Sequence, residues 1–433
     1  MAVTSSGGSV SDRVSLSAKR AFAAAFGGYA LDGFDFMIFT LVLSTIISVF
    51  GLSIGEAGLL ATASLFVSAF GGLFAGVIAD YWGRARALAI AILFYAVFTG
   101  LTGLAQNFSQ LLVFRALEGL GFGGAWAAGA ALLSESAPAH LRGRWLGWMQ
   151  SSWAIGWGAA LIVELIIAQT MGLTAGWRVL FYIGALPALF VLYVLRRVEE
   201  PDVWRKTIEI KRQLREQELV KGTAKSKDLT LTFFQLWRGD LLPRTLLATL
   251  LSTGALFGYY SIFTLLPTFL IKVRHLSAIG SGPYLALVII GSFVGYVTSG
   301  WLNDRLGRRM NFLFFAIGSA IIVLLYTAVV KTNTLLIPLS FPLGFFASGI
   351  FSGFGSYLAE LFPTRVRGAA QGFTYNGGRA IAAFAPALIG YLSGALGGLG
   401  HAIAIFGPIS YLLCVIAVLA LPETKGVELK PMD

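Results

Sequence analysis

The chain has 433 residues, of which 57% are hydrophobic and 12% are charged, about half the charged share of an ordinary soluble protein. Water-exposed surfaces need charged side chains and lipid-exposed surfaces exclude them, so the composition excludes a soluble globular domain. The single cysteine, Cys414, excludes an internal disulfide, and the three histidines lack the spacing of metal ligands. With no nucleophile constellation or nucleotide loop in the sequence, we expect no metal, cofactor or enzyme active site.

Apolar runs of roughly 20 residues recur along the chain, and each is long enough to cross a ~30 Å hydrocarbon core as a helix. In chain order they are 21–50, 58–79, 87–105, 111–134, 146–168, 179–195, 243–270, 280–302, 311–330, 335–358, 369–393 and 402–421. The first run follows a polar segment and is too long for a cleavable signal peptide. The sequence therefore predicts an all-α membrane protein with twelve transmembrane helices.

The formal net charge of +11 is concentrated in alternate loops between these runs. Cytoplasmic loops of membrane proteins are enriched in lysine and arginine. The pattern predicts a multi-pass protein of the cell inner membrane, in contact with the lipid bilayer and without a nucleic-acid partner. Both termini are expected in the cytoplasm, together with the loops at 80–86, 140–144, 198–240, 304–309 and 365–367.

Charged loop segments repeat within the chain at a constant spacing. The segment that begins at Gly76 recurs from Gly300, which brings Asp304 224 positions after Asp80 (304 − 80). A second segment, beginning at Glu135, recurs 225 positions later (360 − 135). Glu199 and Glu423 close the two halves, again 224 apart (423 − 199).

Repeats in the same order and orientation predict two parallel halves around an axis along the membrane normal. A binding site is then expected between the halves at mid-membrane. The predicted units are a six-helix bundle at 1–197, a cytoplasmic linker at 198–242 with a surface helix at 208–218, and a six-helix bundle at 243–433.

These motifs resemble those of the major facilitator superfamily over the whole chain. The pattern Gly-x3-Asp-x2-Gly-Arg-x-Arg from Gly76 is similar to a loop motif of that superfamily. Residues 176–187 and 421–426 resemble sugar and organic-acid porters, and residues 31–36 and 372–376 resemble sialate and monocarboxylate proton symporters. Aromatic-acid proton symporters share a similar first-span motif. The resemblance implies the major facilitator fold and solute transport by alternating access, and we expect a monomer.

Charged residues of the repeated loops are candidates for a cytoplasmic latch that holds one conformation. Glycine allows close helix approach, and the aspartates can meet a helix N-terminus or an arginine of the neighbouring bundle. A positive-inside anchor would explain the arginines but not the aspartates. The predicted gating residues are Asp80, Arg84, Glu135, Arg142, Asp304, Arg308, Glu360 and Arg367.

Charges inside the spans point to proton coupling or to a buried structural pair, because each costs roughly 2.5–3.5 kcal/mol at a helix centre. At ~1.5 Å per residue, Asp35 and Arg115 lie at about the same depth. Proton-coupled sugar porters, which the chain resembles, place an aspartate and an arginine at these positions. An aspartate beside arginine keeps its charge, and separation lets it take a proton. Asp35 with Arg115 is the favoured coupling pair, and Asp32 with Glu118, one turn deeper, is the alternative.

Arg379 is expected close to the midplane, ~16 Å from the start of the eleventh run. The corresponding position of the first half is Ala154, so the repeat does not require an arginine there. Guanidinium binds carboxylates with two parallel hydrogen bonds and stays charged, which favours a role in solute binding over one as partner of a buried acid. The other predicted substrate ligands are Asn376, Tyr375, Tyr259, Tyr260, Gln150 and Trp153.

The sequence favours a secondary active symporter that moves a small organic anion inward with protons. A proton-coupled sugar or polyol transporter is one alternative, and Arg379 argues against it. A non-transporting membrane sensor on the same scaffold is another, and the ordinary linker and short C-terminal tail argue against it. No ATP-binding motif is present in the sequence, so the driving force is expected to be an ion gradient or the solute's own gradient.

Overall fold

Helices dominate the computed structural model, which describes residues 15–138, 142–202, 204–206, 208–209, 213, 234–363 and 366–426 and has no strand among them. The helices of the first half are α1 Leu16–Phe50, α2 Ile54–Trp82, α3 Arg84–Thr102, α4 Phe108–Ser136, α5 Arg142–Thr170, α6 Leu173–Gly184 and α7 Phe190–Arg197. Those of the second half are α8 Leu241–Phe263, α9 Ala278–Leu306, α10 Arg308–Leu324, α11 Asn333–Gly349, α12 Phe354–Leu361, α13 Arg367–Ala382, α14 Ala385–Leu392 and α15 Leu399–Ala420.

Local capping residues explain the sharp reversal between the first two spans. Gly51 ends α1 with φ 63°, a left-handed conformation that glycine adopts without a Cβ penalty. Ser53 and Glu56 then form a capping box in which each side chain accepts the other's backbone N–H. Residues 51–53 are therefore enough to join α1 to α2.

Eleven stretches of the described helices are long and apolar enough to cross a membrane. The predicted span at 369–393 is not among them, because it is divided into α13 and α14 at Ala383 and Phe384. Pro386, near the start of α14, has no N–H to donate, and α13 carries Arg379. The all-α membrane fold with twelve spans is confirmed. The sixth and tenth spans continue through 3₁₀ segments at Leu186–Leu189 and Ile350–Gly353, whereas the eleventh is interrupted.

The distribution of apolar and charged side chains between surface and interior is the reverse of that in a soluble protein. Ile162 and Ile166 on the outer face of α5 are 60% and 55% exposed, whereas Arg115 and Glu118 of α4 are completely buried. Apolar side chains outside and charged groups inside fit a surface surrounded by lipid tails.

The two halves touch on the side of the membrane that carries the loops 51–53 and 393–398, hereafter the opposite side. A Cβ atom placed on Gly58 of α2 would lie 2.3 Å from the carbonyl oxygen of Pro386. Likewise, a Cβ atom on Gly390 of α14 would lie 2.5 Å from the carbonyl oxygen of Ile54. Glycine permits this backbone-to-backbone approach, so α2 and α14 close the interface here.

The halves separate toward the other side, which carries the arginine-rich loops and is hereafter the basic side. Gly72 of α2 still faces Asn376 of α13, whose Oδ1 would lie 2.9 Å from a Cβ on that glycine. One turn closer to the basic side, Gly76 and Gly372 lie on the same helix faces and meet no neighbouring atom within 4 Å. Along α2 and its partners α13 and α14, the interface is thus closed on the opposite side and open toward the basic side.

The junction between the halves is described only at its ends. Helix α7 ends at Arg197, and α8 begins at Leu241. Most of the predicted linker at 198–242, including most of its surface helix at 208–218, lies outside the described residues. The domain boundaries therefore stay predictions.

Candidate functional site

A small cavity lies between the halves, with residues of both halves on its wall. It is lined by Tyr29, Asp32, Phe122, Trp126, Gln150, Trp153, Leu256, Tyr259, Tyr260, Tyr296, Phe351, Tyr375 and Arg379. Nine of these side chains are aromatic and two are charged. A largely apolar wall with a few polar groups is typical of a small-molecule site.

Most of the predicted substrate ligands line this cavity, namely Arg379, Tyr375, Tyr259, Tyr260, Gln150 and Trp153. Asn376 does not line it. Its amide donates to the carbonyl of Gly372 at 3.0 Å, and the side chain faces Gly72 of α2. Consecutive residues of a helix point about 100° apart, which turns Asn376 away from its neighbour Tyr375.

Several aromatic residues of the wall were not predicted from the sequence, among them Tyr29, Phe122, Trp126 and Tyr296. Aromatic residues make up 13% of the chain, so residue type alone does not separate cavity walls from lipid-facing surfaces. One usable signal is spacing, because Glu118, Phe122 and Trp126 follow each other at four-residue intervals on one face of α4.

Arg379 is 6% exposed and has aromatic neighbours. Its guanidinium carbon lies 5.2 Å from the ring centre of Tyr375 and 5.8 Å from that of Phe122. Its Nε has no hydrogen-bond partner, and within the described residues no carboxylate forms an ion pair with it. A buried cation without a carboxylate partner is suited to an anionic ligand.

Two aromatic contacts join the halves across the cavity. Trp153 Nε1 donates to the hydroxyl of Tyr259 at 3.0 Å. The rings of Trp126 and Tyr375 stack with centroids 5.2 Å apart and planes 19° apart. Because Tyr375 lies one helical turn nearer to the basic side than Arg379, this stack separates the cavity from the open part of the interface.

Gln150 connects two walls of the first half. Its Oε1 accepts the indole N–H of Trp126 at 3.2 Å, and its Nε2 donates to the hydroxyl of Tyr29 at 3.1 Å. The amide thereby holds the tryptophan that stacks on Tyr375. A direct contact of Gln150 with solute stays a prediction.

The predicted coupling residues of α1 and α4 lie together behind the cavity. Asp35 accepts a hydrogen bond from the Thr99 hydroxyl and lies beside Glu118 and Arg115. The ion pair of Arg115, however, is with Glu118 at 3.4 Å rather than with Asp35. Residues three apart on a helix are neighbours, and a comparison of depths alone could not choose between acids one turn apart. Ser64 orients Glu118 by donating to its Oε2 at 2.6 Å.

Asp32 belongs to the cavity wall, in contrast to Asp35. It is 1% exposed, and neither carboxyl oxygen has a hydrogen-bond partner. Glu118 and Arg379 are both close enough to interact electrostatically with this carboxyl group. Asp32 therefore connects the cation of the cavity with the acidic cluster behind it.

Ion pairs hold the basic-side end of each half. Arg84 binds Glu135 at 2.8 Å, and Arg308 binds Glu360 at 2.8 Å and Asp304 at 3.3 Å. Each of these pairs lies within one half, whereas the sequence suggested contacts with the neighbouring bundle. A contact of these side chains with the neighbouring bundle stays a prediction.

A glutamate at the end of each half accepts backbone N–H groups at the start of a helix, α3 in the first half and α10 in the second. Glu423 accepts two backbone N–H groups at the start of α10, at 2.9 and 3.0 Å. Burial raises the pKa of Glu423, but four backbone N–H donors outweigh burial, so that the pKa lies below its ordinary value. In the first half Glu200 accepts the N–H of Arg84 at 2.6 Å. The counterpart of Glu423 is thus Glu200 and not Glu199.

Three gating candidates remain. Arg367 donates from Nε to the carbonyl of Ala359 at 2.8 Å. The side chains of Asp80 and Arg142 lie outside the part of the chain that the structure describes. A gating role for these residues, as for the ion pairs above, stays a prediction.

Comparison with known proteins gives the family. Residues 20–433 match the family described as "Sugar (and other) transporter". The chain is 36% identical to the "Probable 4-methylmuconolactone transporter" of Cupriavidus pinatubonensis, over 95% of this chain and 92% of the relative. It is 32% identical to the "Cis,cis-muconate transport protein" of Acinetobacter baylyi, over 94% and 95% of the two chains.

Solved structures agree on the fold. The xylose transporter XylE from E. coli, in a partially occluded inward-open conformation, matches with a TM-score of 0.75 and 19% identity. The match covers 96% of this chain and 100% of that one. These findings confirm the prediction of a transporter rather than an enzyme. The chain belongs to the Sugar (and other) transporter family, within the major facilitator superfamily.

Proposed function

We propose that the protein is a secondary active transporter that carries a small carboxylate together with protons. The observation that supports this most is the buried Arg379 guanidinium, without a carboxylate partner, in an aromatic cavity between the halves. One guanidinium suits one carboxylate group, and aromatic walls suit a planar ring or an unsaturated chain. The names of the two relatives, muconolactone and muconate transporters, support the same class.

A sugar or polyol is a poorer fit. A neutral solute would leave Arg379 without a carboxylate in direct contact when the cavity closes around it during transport, and burying a charge without a direct partner is costly. The likeness to a xylose transporter at 19% identity concerns the fold.

A thermal-shift screen of the purified protein tests the solute class, because a bound solute raises apparent stability with the logarithm of its concentration over its dissociation constant. We expect stabilisation by benzoate or cis,cis-muconate, and none by benzamide, the neutral analogue of benzoate, or by xylose. Stabilisation by xylose alone would replace the carboxylate proposal with the sugar alternative.

Proton coupling is proposed to use the three buried carboxyl groups of Asp32, Asp35 and Glu118. Arg115 pairs with Glu118 and lies beside Asp35, Arg379 is the cation that acts on Asp32, and each acid is at most 1% exposed. Three ionised acids and two guanidinium groups would leave one uncompensated buried negative charge, so we expect a proton on at least one of the acids. Asp32 and Arg379 line the same cavity, so a carboxylate solute bound to Arg379 would bring a negative charge close to Asp32. We therefore propose that anion binding and proton binding favour each other.

Asp35→Asn is expected to abolish uphill accumulation of a labelled carboxylate in vesicles while exchange of labelled for unlabelled solute persists. Exchange needs only the loaded carrier to turn around, whereas accumulation also needs release of the proton. Both activities are measured on the same reconstituted sample. Asp32→Asn is the matched variant. Normal accumulation by Asp35→Asn with loss in Asp32→Asn would move the proton site to Asp32.

We infer that both termini and the basic side face the cytoplasm, in the inner membrane of the cell. The alternation of basic loops along the sequence supports this orientation. The structure then represents a state closed to the outside and open toward the cytoplasm. We propose a monomer as the transporting unit, because the cavity lies between the two halves of the same chain.

A further inference from the structure

We propose that a groove between α3 and α7 binds an anionic phospholipid of the basic-side leaflet, at a site separate from the transport cavity. The groove has a volume of about 440 Å³ and is open at the surface of the first half. Its lining includes Trp82, Arg86, Ala89, Ile90, Leu93 and Leu195. None of these residues belongs to the cavity or to the acidic cluster, so the proposal does not depend on the transported solute.

The dimensions of the groove fit the part of one acyl chain that is nearest to the headgroup. Along α3 the lining runs from Arg86 to Leu93, seven residues or about 10 Å at 1.5 Å per residue. One leaflet of a ~30 Å hydrocarbon core is about 15 Å deep, so the groove covers about two thirds of that depth. The deep part is apolar, with Ile90 and Leu93 37% and 46% exposed. At the basic-side end lie the indole of Trp82, a residue type enriched at headgroup level, and the guanidinium of Arg86.

The charge at this end favours an anionic headgroup. Arg86 is exposed and forms no ion pair with a described residue, and its guanidinium makes one long contact, 3.4 Å, to the carbonyl of Trp82. Glu200 is close, but its carboxylate accepts backbone N–H groups at the start of α3, including that of Arg86 at 3.2 Å. Arg196 and Arg197 lie at the end of α7 but do not line the groove, so Arg86 is the cation of its lining. A guanidinium at headgroup level attracts phosphatidylglycerol more than zwitterionic lipids.

The internal repeat provides a comparison within the same molecule. At the spacing of 224 positions, Arg86 corresponds to Met310 and Ala89 corresponds to Leu313. The second half therefore has neither the cation nor the small residue at these positions. Its nearby Arg309 is engaged elsewhere, donating to the carbonyl of Leu419 at 3.0 Å. The combination of a hollow and an available guanidinium is a feature of the first half.

Native mass spectrometry of the full-length protein in detergent tests the site with dioleoyl phosphatidylglycerol and dioleoyl phosphatidylcholine as probes. We expect wild type to bind phosphatidylglycerol about fivefold more tightly than phosphatidylcholine. This ratio corresponds to the attraction of one arginine near the membrane surface for an anionic headgroup. Arg86→Gln should reduce its affinity to that of phosphatidylcholine, and Ala89→Leu, which fills the groove, should weaken binding of both lipids. Arg305→Gln is the control, because Arg305 is an exposed arginine of the other half, over Trp301.

An unchanged preference for phosphatidylglycerol in Arg86→Gln would overturn the proposal. An equal loss of this preference in Arg305→Gln would also overturn it, because the preference would then come from the overall positive charge of the surface and not from this groove. Melting temperatures without added lipid check that each variant is folded. If Ala89→Leu does not fold, the comparison of Arg86→Gln with Arg305→Gln still tests whether the groove binds the anionic lipid. Benzoate binding should be the same in all folded variants, which separates failure of this site from failure of the transport proposal.

Discussion

Arg379→Ala is expected to lose carboxylate binding almost entirely while the protein still folds and inserts. Arg379→Lys keeps the charge but loses the planar pair of donors that matches a carboxylate. Losing a charge-assisted hydrogen bond costs about 1.5–3 kcal/mol, so the lysine variant should bind roughly ten- to hundredfold more weakly. The measurement is the affinity for benzoate together with the melting temperature of the solute-free protein, for each variant.

The controls separate binding from stability. Benzamide should bind wild type as poorly as benzoate binds Arg379→Ala, because each combination lacks one member of the ion pair. Arg305→Lys, on the exterior of the same half, should change neither quantity. If Arg379→Ala instead melts at a much lower temperature and its folded fraction keeps full affinity, Arg379 has a structural role and the ligand proposal fails.

Gly58→Leu is expected to prevent closure of the opposite side and thereby to stop accumulation of solute. A Cβ atom at this position would lie 2.3 Å from the carbonyl oxygen of Pro386, and the leucine side chain adds further atoms. Overpacking of this kind costs about 1–3 kcal/mol, enough to shift the ratio of closed to open molecules about 5- to 150-fold. The clash exists only in the closed state, so the substitution favours the conformation that is open on the opposite side.

Thiol labelling reports this shift. With Cys414 replaced, a cysteine at Ala387, which is 8% exposed and lies beside Gly58, should react faster with a membrane-impermeant reagent in Gly58→Leu than in its absence. Gly76→Leu is the matched variant on the same helix, since this glycine meets no neighbouring atom within 4 Å. It should not increase the labelling. Normal accumulation by Gly58→Leu would show that the contact of α2 with α14 is not needed for the transport cycle.

The sequence by itself determined the number and class of the elements, because a helix that crosses a bilayer needs a long apolar run whatever its neighbours are. The repeat around Asp80 and Asp304 predicted two halves in the same orientation. This prediction also depends on local sequence, because the same motif folds in the same way both times it occurs. Arg379 was recognisable because charge inside an apolar run is costly and needs a function.

Choices between near neighbours were decided by the tertiary structure. Arg115 pairs with Glu118 instead of Asp35, and Asn376 faces α2 instead of the cavity. Glu200 instead of Glu199 caps α3, and the eleventh span is broken. Each outcome depends on rotation about a helix axis or on contact between helices distant in the chain. A difference of one residue rotates a side chain by about 100° with almost no change in depth, and sequence spacing measures depth well but not the direction in which a neighbouring helix lies.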